Sequence, residues 1–241
     1  MRWAIDLGNS RVKLGRFSAT TLLEYHVWDN ASHAECLQWL LSQESASYAL
    51  LSTAADRATW YAAIKTRAPV YVYEHGMPLP IRLAYATPET LGHDRLAAAV
   101  AAHAMYPMCA CLVIDAGTCI TYEWVSSAGV YLGGNISPGL HMRLRAMHEF
   151  TGKLPLVQAI LPSEMIGNTT ASAIQNGALR GAASEISQVI LAFRQNHSEG
   201  QILLCGGDAP FLRPLLPGGL IYRPSLVVEG LANLQAYAQS S

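Results

Sequence analysis

The chain has 241 residues, an apolar share of 51%, only 14% charged residues and a formal net charge of −1. That length and composition argue against disorder and supply enough apolar side chains for one large core or two small ones. Lys and Arg are scattered rather than clustered, which argues against a nucleic-acid or membrane-surface partner and for a small ligand.

In chain order, Trp3 to Asp6 and Val12 to Phe17 read as two strands joined by a turn of Gly8, Asn9 and Ser10. Residues 31–43 have a helical pattern, "YALLST" is a short buried strand, "ATWYAAIKTRA" is helical again, and "VYVYE" is a further strand. The Pro-rich segment "GMPLPIRLAYATPET" leads into "GHDRLAAAVAAHAMYP", an Ala-rich helix expected to open near Asp94, stop at Pro107 and link two halves of the chain. "ACLVIDAGTCITYEWV" then restarts the opening pattern, with Asp115 in the place of Asp6, and "GVYLGGNISPG" adds a strand and a turn. Helices are expected from about Met142 to Phe150, Ala171 to Phe193 and Leu226 to Tyr237, around a strand in "QILLCGG". The reading is an α/β protein of two similar halves, residues 1–107 and 108–241.

Five cysteines, Cys36, Cys109, Cys111, Cys119 and Cys205, show no paired CxxC motifs and read as buried thiols in a reducing compartment. The N-terminus enters a strand pattern at once, and no apolar run approaches the ~20 residues of a membrane helix. A cytoplasmic chain without signal peptide or anchor is expected.

Two copies of strand, Asp, small-residue turn and strand suit one particular chemistry. Backbone N–H groups in a Gly-containing turn converge on an anion, and an adjacent carboxylate holds a cation or its hydration shell. Two such turns would grip a polyphosphate. Taken singly, Asp6 and Asp115 are ordinary hairpin residues; the recurrence within matching apolar flanks favours the functional reading. Neither a GxxxxGK[ST] loop nor a GxGxxG fingerprint is present, and each turn leads into a strand rather than a helix.

"DLGNSRVK", "GHDR", "DAGTCIT", "GGNISPG" and "NTTASAIQNG", in that order, resemble the motif series of the type III pantothenate kinases, within the acetate and sugar kinase, Hsp70 and actin superfamily. The resemblance implies two ribonuclease-H-like (actin-like ATPase) domains with a nucleotide cleft between them. It also implies ATP as donor, pantothenate as acceptor, Mg²⁺ or another divalent cation, a monovalent cation (K⁺ or NH₄⁺) and a homodimer, in the first step of coenzyme A biosynthesis.

Carried over by position, Asp6 would organise hydrated Mg²⁺, with Gly8, Asn9, Ser10 and Lys13 near the phosphates. Lys13 is one of only three lysines, and a solvent-facing strand lysine is its commoner fate. Gly117 and Thr118 would form the second phosphate turn, Asp115 the monovalent-cation site, and Gly206 and Gly207 the adenosine-side turn. On the acceptor side the resemblance implies Tyr85, Gly92, His93, Asp94, Arg95 and Thr170, with Asp94 as the base that takes the alcohol proton and Arg95 as a fork for the carboxylate. A capped helix start with Arg95 in a surface pair is the structural alternative for this motif. His93 stands at a variable position of the motif and reads as incidental to catalysis.

Three residues depart from the family's usual pattern: Glu123 for Asp, Cys205 for Thr and Cys119 for Ala. The histidines show no HExxH spacing and Ser10 lies in no GxSxG elbow, so covalent catalysis is not expected. Two other readings stay open: a phosphotransferase of the same superfamily acting on another substrate, and a non-catalytic regulatory protein retaining the fold.

Overall fold

The computed structural model describes residues 1–52, 57–161 and 163–240, and the chain divides into two compact units. The first comprises Met1–Met108, Val125–Gly133 and Ser225–Ser241; the second comprises Cys109–Trp124 and Gly134–Pro224. The chain thus returns twice to the first unit, at Val125–Gly133 and at Ser225–Ser241.

In the first unit, β1 (Arg2–Leu7), β2 (Arg11–Ser18), β3 (Thr21–Asp29), β4 (Ser47–Ser52) and β5 (Val70–Val72) form a sheet of order β3-β2-β1-β4-β5. β1 pairs antiparallel with β2 and parallel with β4. The strand read in "YALLST" is β4, and its final Thr53 lies outside the described residues. Strand alternation sends Trp3, Ile5 and Leu7 to one face, where they pack with Leu40, Trp60 and Ile64 from α1 (His33–Leu41) and α2 (Arg57–Lys65).

The Ala-rich helix is α3 (His93–Met105), and it is a core element rather than an exposed connector: Arg95 and every residue from Leu96 to Ala102 are buried. Small side chains allow this, because they let another helix approach closely. That helix is α7 (Leu226–Ala238), the last of the chain, which packs on α3 and on β1, β2 and β4.

The second sheet has the order β11-β10-β7-β8-β9-β6, from β6 (Arg82–Leu83), β7 (Cys111–Ala116), β8 (Cys119–Val125), β9 (Val130–Pro138), β10 (Gln201–Cys205) and β11 (Ile221–Tyr222). Without β6 it reads β9-β8-β7-β10-β11, which repeats β3-β2-β1-β4-β5 strand for strand. The duplication expected from the sequence is thus present in the topology, and each sheet has the ribonuclease-H-like order. α4 (Leu140–Glu149), the long α5 (Thr170–Asn196) and the single-turn α6 (Ala209–Leu212) complete the second unit. Its core joins Leu112, Ile114 and Ile120 to Leu179, Ile186 and Phe193 of α5.

Candidate functional site

The first unit carries two groups of the expected site residues. Asp6 lies near the carboxyl end of β1, directly opposite Lys13 in the β1–β2 register, the end of parallel strands where α/β proteins gather their ligands. Lys13 Nζ stands 3.2 Å from Asp6 Oδ2, and the Asp6 residue is only 4% exposed. Lys13 therefore points along the sheet face to a buried carboxylate, not out to solvent. The Gly8 N–H donates to the Arg11 carbonyl at 3.0 Å, and the exposed tip at Asn9 and Ser10 is tied down by Asn30. The Asn30 amide side chain donates to the Asn9 carbonyl at 3.1 Å, and its backbone N–H donates to the Ser10 carbonyl at 3.1 Å.

The second group sits where α3 begins. Gly92 is the N-cap, and the Asp94 Oδ1 accepts the Arg95 backbone N–H at 2.9 Å, an acidic first-turn residue answering the unpaired N–H groups of a helix start. A Cβ on Gly92 would meet Asp94 Oδ1 at 2.6 Å, so glycine leaves room for that carboxylate. Arg95 is 7% exposed, and its guanidinium lies 6.0 Å from the centre of the Tyr85 ring, the outer limit of a cation–π contact. Tyr85 in turn packs at 5.9 Å on Tyr131. Arg95 is thus no surface pair of a helix start. His93, next to Asp94, is pulled below the ordinary imidazole pKa by burial and by the charges of His75 and Arg57, against the opposing pull of Asp94 and Glu74.

In the second unit three turns interlock. Gly117 and Thr118 join β7 to β8, and the Gly117 N–H donates to the Cys119 carbonyl at 2.9 Å. Asp115, the penultimate residue of β7, has its Oδ1 3.7 Å from where a Gly117 Cβ would be. Gly139, just before α4, packs so tightly that a Cβ would stand 2.1 Å from the Gly117 carbonyl oxygen. Gly206, at φ +94°, has the same intimacy with Ala116, at 2.2 Å from its carbonyl oxygen, in a left-handed conformation that favours glycine. Gly206 is thereby brought against Ala116, the residue before the Gly117–Thr118 turn. Thr170 is the first residue of α5, exposed, beside the capping box of Thr169 and Ser172.

Two features escaped the sequence reading. Asp208, 7% exposed, receives the Leu140 N–H on Oδ2 at 3.2 Å and gives its own N–H to the Ala116 carbonyl at 2.7 Å. It clasps the start of α4 and the glycine pair to the β7 end; an Asp directly after Gly-Gly and before a short helix was the available signal. Glu185 of α5 gathers Tyr122, Ser137 and Arg143, each donating to its carboxylate. Burial alone would raise the Glu185 pKa, but these hydrogen bonds and the Arg143 charge outweigh it and hold the group below the usual value. Residues so far apart in sequence left no local pattern to read.

The sequence model of type III pantothenate kinase matches residues 3–192. The chain belongs to the type III pantothenate kinase family. Among its relatives, the type III pantothenate kinase of Bacteroides fragilis is 40% identical over 239 residues, covering 98% of each chain. A Campylobacter jejuni structure described as a conserved Baf family transcriptional activator superposes with a TM-score of 0.61 at 19% identity, covering 99% of this chain and 100% of that one. A Listeria monocytogenes structure described as an N-acetylmannosamine kinase gives 0.55 at 13% identity, covering 99% of each. At such identities these structures speak to the fold alone, which is that of the actin-like ATPases. Membership in the pantothenate kinase family makes the chain an enzyme of phosphoryl transfer in coenzyme A biosynthesis. Among the described residues no helix is long and apolar enough to cross a membrane.

Proposed function

We propose that this kinase moves the γ-phosphoryl group of ATP to the 4'-hydroxyl of pantothenate, with Asp94 as the base. The observation that carries this reading is the start of α3: a carboxylate held by one oxygen on the Arg95 N–H, followed by a nearly buried guanidinium stacked towards Tyr85. The hydroxyl oxygen forms its bond to the γ-phosphorus as the bond to the β-phosphate bridging oxygen breaks and ADP leaves. Its proton passes to Asp94 Oδ2, the oxygen not occupied by the Arg95 N–H. Arg95 holds the pantothenate carboxylate as a planar fork, and Tyr85, Gly92 and His93 line the acceptor.

In the first unit Lys13 and the N–H groups of Asn9 and Ser10 bind phosphate, beside the Gly8 backbone; in the second, Gly117 and Thr118 form a phosphate turn, and Gly206 and Gly207 let the backbone approach the adenosine. Mg²⁺ keeps most of its waters and needs only one or two carboxylates beside phosphate oxygens. The buried Asp6 carboxylate suits it, although no cluster of three or more His, Cys, Asp or Glu side chains placed to hold a metal occurs among the described residues. Bound there, the cation would neutralise charge on the transferring phosphate; Asp115 would hold K⁺ or NH₄⁺. Catalysis is positional and electrostatic. We place the enzyme in the cytoplasm, as a homodimer.

The test is to incubate the purified chain with Mg-ATP and pantothenate, with and without K⁺ or NH₄⁺, and assay phosphopantothenate. Faster turnover of sugars, acetate or polyphosphate than of pantothenate would overturn the acceptor assignment.

A further inference from the structure

Three buried donors lie side by side in the sheet of the first unit: Arg16 Nε, Trp3 Nε1 and the Tyr48 hydroxyl, none with a hydrogen-bond partner among the described residues. Arg16 of β2 and Tyr48 of β4 both stand opposite Trp3 of β1, so the three side chains leave the same face in one row. Buried polar groups in folded chains nearly always have partners, and a row of donors calls for an acceptor. Trp3 stands three positions before Asp6 on β1, about 10 Å away at the usual strand rise. The row thus lies at the other end of the sheet from Asp6 and Lys13.

Arg16 and Tyr48 also line one cavity of about 620 Å³, walled by the segments that follow α1 and α2. That volume suits a small organic molecule. Tyr48 is 0% exposed. Burial raises the pKa of its phenol, against the opposing action of the Arg67 charge and the Ser45 hydroxyl, and both of these groups belong to the cavity, which places the OH end on that side. The Ser45 hydroxyl gives its proton to the Ser47 carbonyl at 2.7 Å and stands outside hydrogen-bond geometry with the phenol. Arg16 commits Nη1 to Glu24 Oε1 at 2.7 Å and leaves the edge at Nε, the side-on half of the guanidinium fork that carboxylates bind.

The lining selects among anions. Glu24 already offsets Arg16, and the exposed Glu44 joins Arg67 in the cavity wall, so the surplus positive charge suits one negative charge rather than two. Ser42 and Thr66 donate to the Trp39 and Ala63 carbonyls, each at 2.7 Å. With Ser45, these hydroxyls keep only lone pairs to offer, and they suit a ligand carrying hydroxyl or amide donors. The same bonds cover carbonyls near the ends of α1 and α2 that would otherwise repel an anion. We propose that this cavity binds a small hydroxylated monocarboxylate, its carboxylate held by Arg16 Nε, the Tyr48 hydroxyl and Arg67.

The experiment titrates gluconate into the full chain by calorimetry, for the wild type, Tyr48→Phe and Arg67→Gln. Sorbitol supplies the hydroxyls without a carboxylate, and inorganic phosphate supplies an anion without an organic body. The expected result is a submillimolar gluconate site in the wild type, weakened about tenfold or more in each variant, with no binding of sorbitol and weaker binding of phosphate. The Arg16 Nε–Hε cross-peak in NMR spectra is expected to move with gluconate while that of Arg95 stays in place. Tyr48→Phe removes an unsatisfied buried hydroxyl and should melt no lower than the wild type without ligand; Arg67→Gln changes an exposed side chain and tests the site independently of that result. Absence of gluconate binding to the wild type leaves water as the occupant and overturns the site. Equal affinity in all three proteins also overturns it, as does a shift at Arg95 in place of Arg16. Phosphate binding more tightly than gluconate overturns the carboxylate assignment. None of these readouts requires turnover, so the outcome is separate from that of the phosphoryl-transfer reading.

Discussion

Gly230 of α7 lies so close to Ala97 of α3 that a Cβ on it would stand 1.8 Å from the Ala97 carbonyl oxygen. A backbone atom cannot rotate away as a side chain does, so any larger residue must push the helices apart. Gly230→Ala is expected to cost about 1–3 kcal/mol and to lower the melting temperature by several degrees. Because α3 carries Asp94 and Arg95 in its first turn, turnover should fall as well. An unchanged melting temperature would show that the helix contact is looser than described.

The Lys13 ammonium offsets Asp6 at 3.2 Å. Lys13→Met is expected to raise the KM for ATP about tenfold or more, with a smaller effect on pantothenate, since a charge-assisted contact to phosphate is lost. Steady-state kinetics with each substrate varied in turn would separate the two; an equal rise for both would move Lys13 out of the donor site.

At the start of α3, Asp94→Asn keeps an acceptor for the Arg95 N–H and removes the proton-accepting oxygen. We expect kcat to fall about 10²-fold or more with ATP binding largely intact. Arg95→Ala should act mainly on the apparent affinity for pantothenate. Near-normal turnover in the first variant would eliminate Asp94 as base.

Glu185 predicts an acid limb in stability. Its folded pKa lies below the ordinary value, so its contribution is fully present above the unfolded carboxyl pKa and disappears as pH falls through the folded one. Denaturant midpoints should decline on acidification below about pH 4.5, and Glu185→Gln should flatten that decline while lowering the midpoint at neutral pH. A variant with the wild-type pH profile would contradict the assignment.

Burial pushes the Cys36 and Cys111 thiols up to about 12, and Cys205 is buried too. Only Cys109 and Cys119 are partly exposed. A thiol reagent at pH 8 should therefore modify at most these two in the folded protein and all five after denaturation; mass mapping of Cys36 or Cys111 adducts under native conditions would refute this.

The features legible in the sequence were those with local causes. The Asp-bearing hairpins announced themselves by β-branched runs and small turn residues, and the α3 segment by its alanines. β3 gave no such signal, because an edge strand with the mixed exposure of Thr21–Asp29 lacks clean alternation. β6 and β11, two residues each, are held by pairing alone. The role of Lys13 was recoverable only from register, since direct opposition to Asp6 turns a surface lysine into a partner. Asp208 and Glu185 draw their meaning from residues dozens of positions away, and no window of sequence contains that information.

The return of α7 to β1 and α3 inverts the order in which the molecule can mature. During synthesis the opening strands leave the ribosome first, yet the face that α7 covers stays bare until the final helix has been made. Residues 134–224 have all their partners in hand sooner. The half born first is therefore the half completed last.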